Sequence, residues 1–312
     1  MYHILFMLYQ ITHQSNIPRY GRGCCREGRL IKGIAGYLCG LLLFAILAAG
    51  CATSKTPALQ KTVWEDTSLL FRNNGGVAQE LSPQEVVDAV IASGSQLATF
   101  RANMEMSVVT PQLKGTVRCT GIILYQSPNN LRTVGSKFAS TLFDISSDGD
   151  RFWLYVPQES KCYTGKSDAF HRVEAIGINI FPGDMAHLFN YKELLEEKTP
   201  TLEIWPAYWL VHVLYMGVSE VSLKGNLYVD RADGEVFRCE VFNPDGSVRL
   251  QALFSNPAAI NGCKVPQRID VRWPAYSTTL SMTFSNITVN GVLDPKVFTP
   301  AMPAETETID LN

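Results

Sequence analysis

The sequence predicts an α+β fold that is mainly β, an antiparallel sheet accompanied by helices, and three observations lead to this prediction. Residues 116–164 consist of aromatic and β-branched runs separated by short turn sequences. Residues 223–285 repeat this pattern, and their apolar and polar side chains largely alternate with the period of two typical of a half-buried strand. One earlier stretch, beginning at Ser82, instead has the spacing of an amphipathic helix.

The helix is predicted from its first turn. Residues 82–85 read Ser-Pro-Gln-Glu, a capping box in which serine and glutamate satisfy each other's backbone amides and proline fits the first helical position. Apolar residues then recur on one face at Val86, Val87, Val90 and Ile91. This pattern predicts a helix of about four turns.

The clearest strand signal is a hairpin around residues 147–150, which read Ser-Asp-Gly-Asp. Apolar runs at 141–145 and 151–156 flank this turn, and Asp-Gly between such runs is a strong hairpin signal. Residues 127–130, Ser-Pro-Asn-Asn, provide another turn. An antiparallel meander is therefore predicted for the first half.

Residues 181–216 differ from both halves. Pro182, Gly183 and Asp184 begin a short helical candidate that extends to Asn190, and residues 205–216 are dense in aromatic side chains. We interpret this region as helices or a lid inserted between the two halves of the sheet.

The N-terminus predicts export and lipidation. Basic residues in the range 19–32 precede an apolar run at 34–47, and small residues then lead to Cys51. This ending resembles the lipobox of bacterial lipoproteins, in which the cysteine is acylated and becomes the new N-terminus. The alternative is an uncleaved membrane anchor, although the run is short for a span of about 20 residues. Ala52 follows the cysteine where aspartate would favour the inner membrane, so we predict the outer membrane, facing the periplasm.

Four cysteines remain in the predicted body of the protein. They are Cys119, Cys162, Cys239 and Cys263. In an oxidising compartment they could form two disulfides in any of three pairings, or they could be buried free thiols.

No enzyme signature is present. The sequence has no Gly-x-Ser-x-Gly, phosphate loop or His-Glu-x-x-His, and its mature histidines, His171, His187 and His212, are widely spaced. The net charge of −2 and the absence of long charge runs argue against a nucleic-acid partner. We predict a non-catalytic protein with no metal and no cofactor.

Three motifs carry a resemblance to a known family. Residues 124–132 (LYQSPNNLR) are similar to a strand-turn motif Pro-Asn-x-Phe/Leu-Arg, residues 147–157 (SDGDRFWLYVP) to Ser-Asp-Gly-x-x-x-Trp-x-Tyr-x-Pro, and residues 291–300 (GVLDPKVFTP) to a C-terminal motif. Together they resemble the lipoprotein-localisation carriers and receptors of the Gram-negative envelope, the LolA/LolB-like superfamily. That resemblance implies a strongly curved antiparallel sheet, an incomplete barrel covered by helices, whose apolar concavity holds acyl chains.

The leader sequence and the resemblance together set the expected organisation. Residues 1–50 are a signal peptide with an over-long N-terminal prefix, 51–80 a lipid anchor and tether, 81–303 the half-barrel domain, and 304–312 a tail. Leu69, Leu70 and Phe71 suggest that part of the tether packs against something.

The expected function is acyl-chain binding by a membrane-anchored acceptor or carrier. Its partners would be the membrane, lipid or lipoprotein acyl chains, and a periplasmic carrier or envelope complex. The alternative is an envelope scaffold with a filled core, because apolar strands suit a core equally well. The candidate cavity residues are Ile122, Leu124, Phe143, Trp153, Tyr155, Leu250, Phe254, Trp273, Met282 and Phe284.

Overall fold

A computed structural model describes residue 64 and residues 79–112, 115–167, 173–175, 178–190, 194–195, 199–217, 221–300 and 302–311. The predicted signal peptide, the lipidation site at Cys51 and nearly all of the tether therefore lie outside the described residues.

Helix α1 (Pro83–Ser95) begins as its sequence predicts. The Glu85 amide donates to Ser82 Oγ at 3.3 Å, and the Ser82 amide donates to Glu85 Oε2 at 2.7 Å. Val86, Val87 and Val90 are buried on one face. The predicted capping box and amphipathic helix are confirmed.

The first half forms a meander of six strands. These are β1 (Thr99–Val109), β2 (Thr116–Gln126), β3 (Asn130–Lys137), β4 (Ser140–Asp148), β5 (Arg151–Val156) and β6 (Lys161–Lys166). Each pairs antiparallel with the next, and the predicted Asp-Gly hairpin joins β4 to β5.

The region between the halves is mostly β, which corrects the prediction of helices or a lid. It contains β7 (Val173–Ala175), β8 (Ile178–Ile180), α2 (Pro182–His187), β9 (Thr199–Ile204) and β10 (Tyr208–Met216). Only the short helix was predicted correctly. In β10, Trp209, Val211 and Val213 face the core at every second position, but the residues between them are also largely apolar, so the strand period was hidden.

The second half is a meander as predicted. It comprises β11 (Val221–Asp230), β12 (Val236–Phe242), β13 (Val248–Ile260), β14 (Cys263–Trp273) and β15 (Thr278–Val289). A 3-10 turn (Pro295–Phe298) and β16 (Glu307–Asp310) follow. Part of the predicted tail is therefore a strand.

Fourteen strands form one open sheet in the order β16-β6-β5-β4-β3-β2-β1-β15-β14-β13-β12-β11-β10-β9, and β7 pairs with β8 separately. All neighbours in the large sheet are antiparallel except β16 and β6. The first meander joins the second where β1 pairs with β15.

The sheet must be strongly bent, because α2 and its flanks touch strands that lie far apart in the sheet order. Helix α2 contacts β3, β4 and β5, and Asp184 within it bonds side chains of β13 and β14. In a flat sheet β4 and β13 would be roughly 29 Å apart, whereas a six-residue helix is about 9 Å long. The open, curved sheet agrees with the predicted incomplete barrel.

The prediction that helices cover the sheet is overstated. The described residues contain one helix of 13 residues and one of six inside the curve. On the outer face, the 3-10 turn Pro295–Phe298 lies over β3 and β4 and buries Phe298. Strand and turn segments therefore do much of the covering expected of helices.

The four cysteines of the body are free and buried, as in the second of the two alternatives. Cys119, Cys162, Cys239 and Cys263 lie on β2, β6, β12 and β14, and no two of these strands are neighbours. Even β12 and β14 are two strand spacings apart, roughly 10 Å, which exceeds the Cα separation of a disulfide.

Candidate functional site

The concave face of the sheet is the candidate site, and it is apolar over its whole width. One cluster of buried side chains joins residues from β1 to β5 with residues from β10 to β15 and from both helices. Six of the ten predicted cavity residues belong to it. These are Phe143, Leu250, Phe254, Trp273, Met282 and Phe284.

The other four candidates lie on the opposite face. Ile123 and Tyr125 belong to the inner cluster, so Ile122 and Leu124 point outward; likewise Leu154 points inward and Trp153 and Tyr155 outward. The prediction failed here because these strands are apolar on both faces. The C-terminal turn Pro295–Phe298 contacts this outer face at β3 and β4.

The concave face is occupied by the chain's own residues 181–190, which we call the plug. The Phe189 ring stacks on Tyr125 with 5.2 Å between centroids. It also lies 5.3 Å from the Phe100 ring and 6.4 Å from the Phe284 ring. One plug side chain therefore touches β1, β2 and β15 across the middle of the curve.

The other end of the plug is fastened by a ring stack and a buried carboxylate. Phe181 stacks on Trp273 at 4.7 Å. Asp184, which is buried, accepts a hydrogen bond from Trp273 Nε1 at 2.9 Å and pairs with Arg249. Asn190 then donates to Asn129 Oδ1 at 2.9 Å, which ties the plug to the turn between β2 and β3.

These plug residues were not among the predicted site residues. The sequence placed a short helical segment at 182–190 but did not show which way its side chains point. A phenylalanine at each end of a short helix bounded by Pro-Gly was the available signal.

Beside the plug, the open space on the concave face is small. A cleft between the end of α1 and β11 to β14 has a volume of about 60 Å³. Its apolar walls include Leu97, Leu188, Phe189, Phe254 and Val265. Ligand pockets usually measure about 300–1,000 Å³, so this cleft is an entrance rather than a complete site.

The rim of the cleft is charged. Asp233 and Glu235 face Lys264, with N–O distances of 3.8 and 3.6 Å. Burial raises the pKa of Glu235, and Lys264 offsets part of this rise. The entrance therefore combines an apolar wall with a polar edge, the arrangement that suits an amphiphile.

No protein-family model matches the chain, and no curated protein matches it. Solved structures do. A LolA superfamily protein from Nitrosomonas europaea superposes with a TM-score of 0.50 at 15% identity, covering 71% of this chain and 99% of that one. A lipoprotein-sorting protein domain from Vibrio parahaemolyticus gives 0.53 at 11% identity, covering 70% and 97%. The chain has the LolA/LolB-like fold. A DUF1329 family protein from Desulfovibrio piger also matches, with 0.52 at 12% identity over 70% of this chain and 98% of that one.

The motifs that resemble the LolA/LolB-like superfamily have a structural role here. Arg132 donates to both carboxylate oxygens of Asp144, at 3.1 and 2.7 Å, and to the Val297 carbonyl at 2.9 Å. The strand-turn motif is thereby bonded to the C-terminal motif on the outer face.

The outer face of the second meander carries a buried polar network. Glu240 accepts hydrogen bonds from Asn226, Arg238, Gln251 and Tyr228, at 2.6 to 3.3 Å. Burial raises the pKa of Glu240, but the bonds from Asn226 and Arg238 lower it more, so that it lies below its usual range. This network joins three strands, β11 to β13.

Among the described residues, no group of three or more His, Cys, Asp or Glu is placed to hold a metal ion. In that same part of the chain, no helix has both the length and the apolar character needed to cross a bilayer.

Proposed function

We propose that this protein binds the acyl chains of lipoproteins or other envelope lipids on its concave face, acting as an acceptor or carrier by affinity rather than catalysis. In this proposal Cys51 is lipidated and holds the protein at the outer membrane, facing the periplasm. A periplasmic carrier or an envelope complex would deliver or receive the lipid.

The observation that carries the proposal is the plug. Its two aromatic side chains fill a continuous apolar face but reach it from one short segment, which is fastened at Asp184 and Asn190. An acyl chain would take the place of those side chains on the concave face, because both are apolar. The structure is then the closed, unloaded state.

The apolar burial gained with a long acyl chain is comparable with the cost of releasing the plug. Burying a chain of about fifteen methylenes contributes roughly 12 kcal/mol before association costs, at about 0.8 kcal/mol each. Exposing the four buried apolar side chains of the plug, Phe181, Met185, Leu188 and Phe189, costs roughly 6–12 kcal/mol. Only a long acyl chain could therefore displace the plug, whereas a chain of four or five carbons could not.

Lipidation would make the membrane anchor firm. One acyl chain binds a bilayer only marginally, and several chains hold it stably. The fold of lipoprotein-sorting proteins and the leader sequence both support an envelope address.

A second candidate is a non-catalytic scaffold or interaction protein with a filled core. It is favoured by the single contiguous core cluster and by the small volume of the cleft.

Native mass spectrometry separates the two candidates. Residues 52–312, exported and purified from the periplasm without detergent, would carry a stoichiometric adduct of lipid mass if the concave face binds lipid. A bare mass that is unchanged after incubation with lipids and acylated peptides would support the scaffold.

The anchor has its own test. Radiolabelled fatty acid should enter the wild-type protein and not Cys51→Ala. Equal labelling of both would rule out acylation at this residue.

A further inference from the structure

A groove on the outer face of the sheet crosses the seam where β1 joins β15. Its volume is about 420 Å³, within the usual range for a small-molecule site. It lies on the opposite face of the sheet from the plug, because Glu105 and Thr283 line it and their neighbours Met104 and Met282 belong to the inner cluster. The groove is therefore separate from the proposed acyl-chain site.

Short hydroxyl side chains form the floor of the groove, and long charged side chains surround it. The floor residues lie on β1, β2 and β15 and are Ser107, Thr120, Ser281 and Thr283. Three basic residues line the groove: Arg118 on β2, Lys137 at the end of β3 and Arg268 on β14. Glu105 on β1 lies between them, because β2 flanks β1 on one side and β15 and β14 follow on the other.

A buried carboxylate holds Arg268 in place. Arg268 Nε and Nη2 donate to the two carboxylate oxygens of Asp270, both at 2.8 Å, and the Asp270 side chain is only 3% exposed. The Ser281 hydroxyl donates to the same carboxylate. Arg268 Nη1 has no hydrogen-bond partner among the described residues. The guanidinium is therefore fixed on one side and keeps the donors of Nη1 for a ligand.

The other charged side chains of the groove are not paired with one another. Within the described parts of the chain, Arg118 and Lys137 form no ion pair, and Glu105 pairs with no cation. Lys137 Nζ instead lies over the Phe138 ring, 5.6 Å from its centroid. The groove therefore offers cationic donors on both sides and one uncommitted carboxylate between them.

We propose that this groove binds a phosphoethanolamine group. Arg118, Lys137 and Arg268 donate to the phosphate, and Glu105 accepts from the ammonium group. Arginine and lysine both bind phosphate, and hydrogen bonds between charged partners are roughly twice as strong as those between neutral ones. A phosphate alone would bring a second negative charge beside Glu105, whereas the ammonium of phosphoethanolamine pairs with that carboxylate.

Calorimetric titration of the full chain with glycerophosphoethanolamine, a soluble ester of this group, tests the site. The wild-type protein should bind it, and the double variant Arg118→Ala with Lys137→Ala should bind at least about tenfold more weakly. Arg101→Ala is the matched control and should bind as the wild type does, because Arg101 is an exposed residue of β1 that does not line the groove. All three side chains are exposed, so these variants should keep the wild-type melting temperature.

Glu105→Gln distinguishes a site for the zwitterion from a site for any anion. It should weaken the binding of glycerophosphoethanolamine several-fold, because the ammonium loses its carboxylate partner. The same change should strengthen the binding of glycerol phosphate, because it removes a negative charge beside the phosphate. Changes of the same sign for both ligands would overturn the proposal. Wild-type protein that binds no glycerophosphoethanolamine at about 10 mM, or equal losses for Arg101→Ala and the double variant, would overturn it too.

Vesicles distinguish the two sources of this group, a lipid head group and a soluble ester. If the ligand is a lipid head group, more protein should sediment with vesicles of phosphatidylethanolamine and phosphatidylcholine than with phosphatidylcholine alone. The double variant Arg118→Ala with Lys137→Ala should lose that excess. No excess for the wild-type protein, with its calorimetric binding intact, would identify a soluble ester as the ligand.

Discussion

Arg132 and Asp144 form a two-bond ion pair on neighbouring strands, and the same guanidinium holds the Val297 carbonyl. The Asp144 side chain is largely buried and pairs with Arg132. We expect Arg132→Ala to destabilise the protein by about 3 kcal/mol, because it leaves a buried carboxylate unpaired and releases the C-terminal turn.

Denaturant unfolding would measure this loss. Arg151→Ala is the matched control, because its pair with Asp310 is solvent-exposed and should contribute about 0–1 kcal/mol. Equal losses for the two variants would show that Arg132 does not fasten the outer face.

Asp184 fastens the plug, so its removal should favour ligand entry. Asp184→Asn keeps the shape but removes the charge that Arg249 pairs with. We expect lower stability, by about 1–3 kcal/mol, together with tighter binding of a long-chain fatty acid probe. Lower stability with unchanged or weaker binding would argue that the plug is simply part of the core.

Phe189→Ala probes the same plug from the apolar side. Truncating a buried phenylalanine should destabilise the protein by about 3–5 kcal/mol and leave a cavity between Phe100, Tyr125 and Phe284. If the face binds acyl chains, added lipid should restore much of the lost melting temperature of this variant. The same lipid should have no such effect on Leu210→Ala, whose side chain packs with Tyr208 and Phe237 in a separate buried cluster.

Two glycines allow neighbouring strands of the first meander to approach each other closely. A Cβ at Gly121 would lie 1.8 Å from the Val134 carbonyl oxygen, and one at Gly135 would lie 2.4 Å from the Phe143 ring. We expect Gly121→Ala to cost at least about 1–3 kcal/mol, since backbone must move. Gly291→Ala, whose Cβ would meet only the Thr288 methyl at 3.5 Å, should be nearly neutral in the same thermal melts.

The thiols should be unreactive in the folded protein. Burial raises the pKa of Cys239 to about 12 and that of Cys162 to about 11, and it also raises the pKa of Cys119. At pH 8, residues 52–312 should therefore react slowly with a thiol reagent while the protein is folded. After denaturation, four thiols per chain should react with the reagent. Fewer than four would show that disulfides form in the envelope.

Acid should weaken the outer network. The pKa of Glu240 is lowered in the folded state, so its stabilising contribution is fully present above about pH 4.5 and is lost as pH falls through the folded value. Glu240→Gln should therefore flatten the acid limb of a stability–pH curve. An unchanged acid limb would mean that Glu240 is not the group responsible.

The sequence predicted what depends on local chemistry. Ser82 and Glu85 act on their own neighbours, and the Asp-Gly turn fixes its own hairpin. It could not determine which face of a two-sided apolar strand points inward. Trp153 and Leu154 are both hydrophobic, and only the assembled sheet shows that Leu154 faces the inner cluster.

The plug was missed for the same reason. Phe189 meets Phe284 and Phe100 only after both meanders have joined, so the local sequence could show the short helix but not what its side chains contact. In β10, apolar residues lie between the alternating core positions, so the strand period is not visible in the sequence. The length of the apolar run and its aromatic content favoured a helix.

The pairing of β1 with β15 also determines the order in which the molecule can form. Phe100 lies opposite Val289, so the seam between the two halves joins residues nearly the whole domain apart, while every other antiparallel neighbour in either meander is close in sequence. Local hairpins form quickly and distant pairings slowly. The two halves are thus expected to assemble separately, and the seam to close as the late, rate-limiting step, with both seam strands exposed to aggregation until it does.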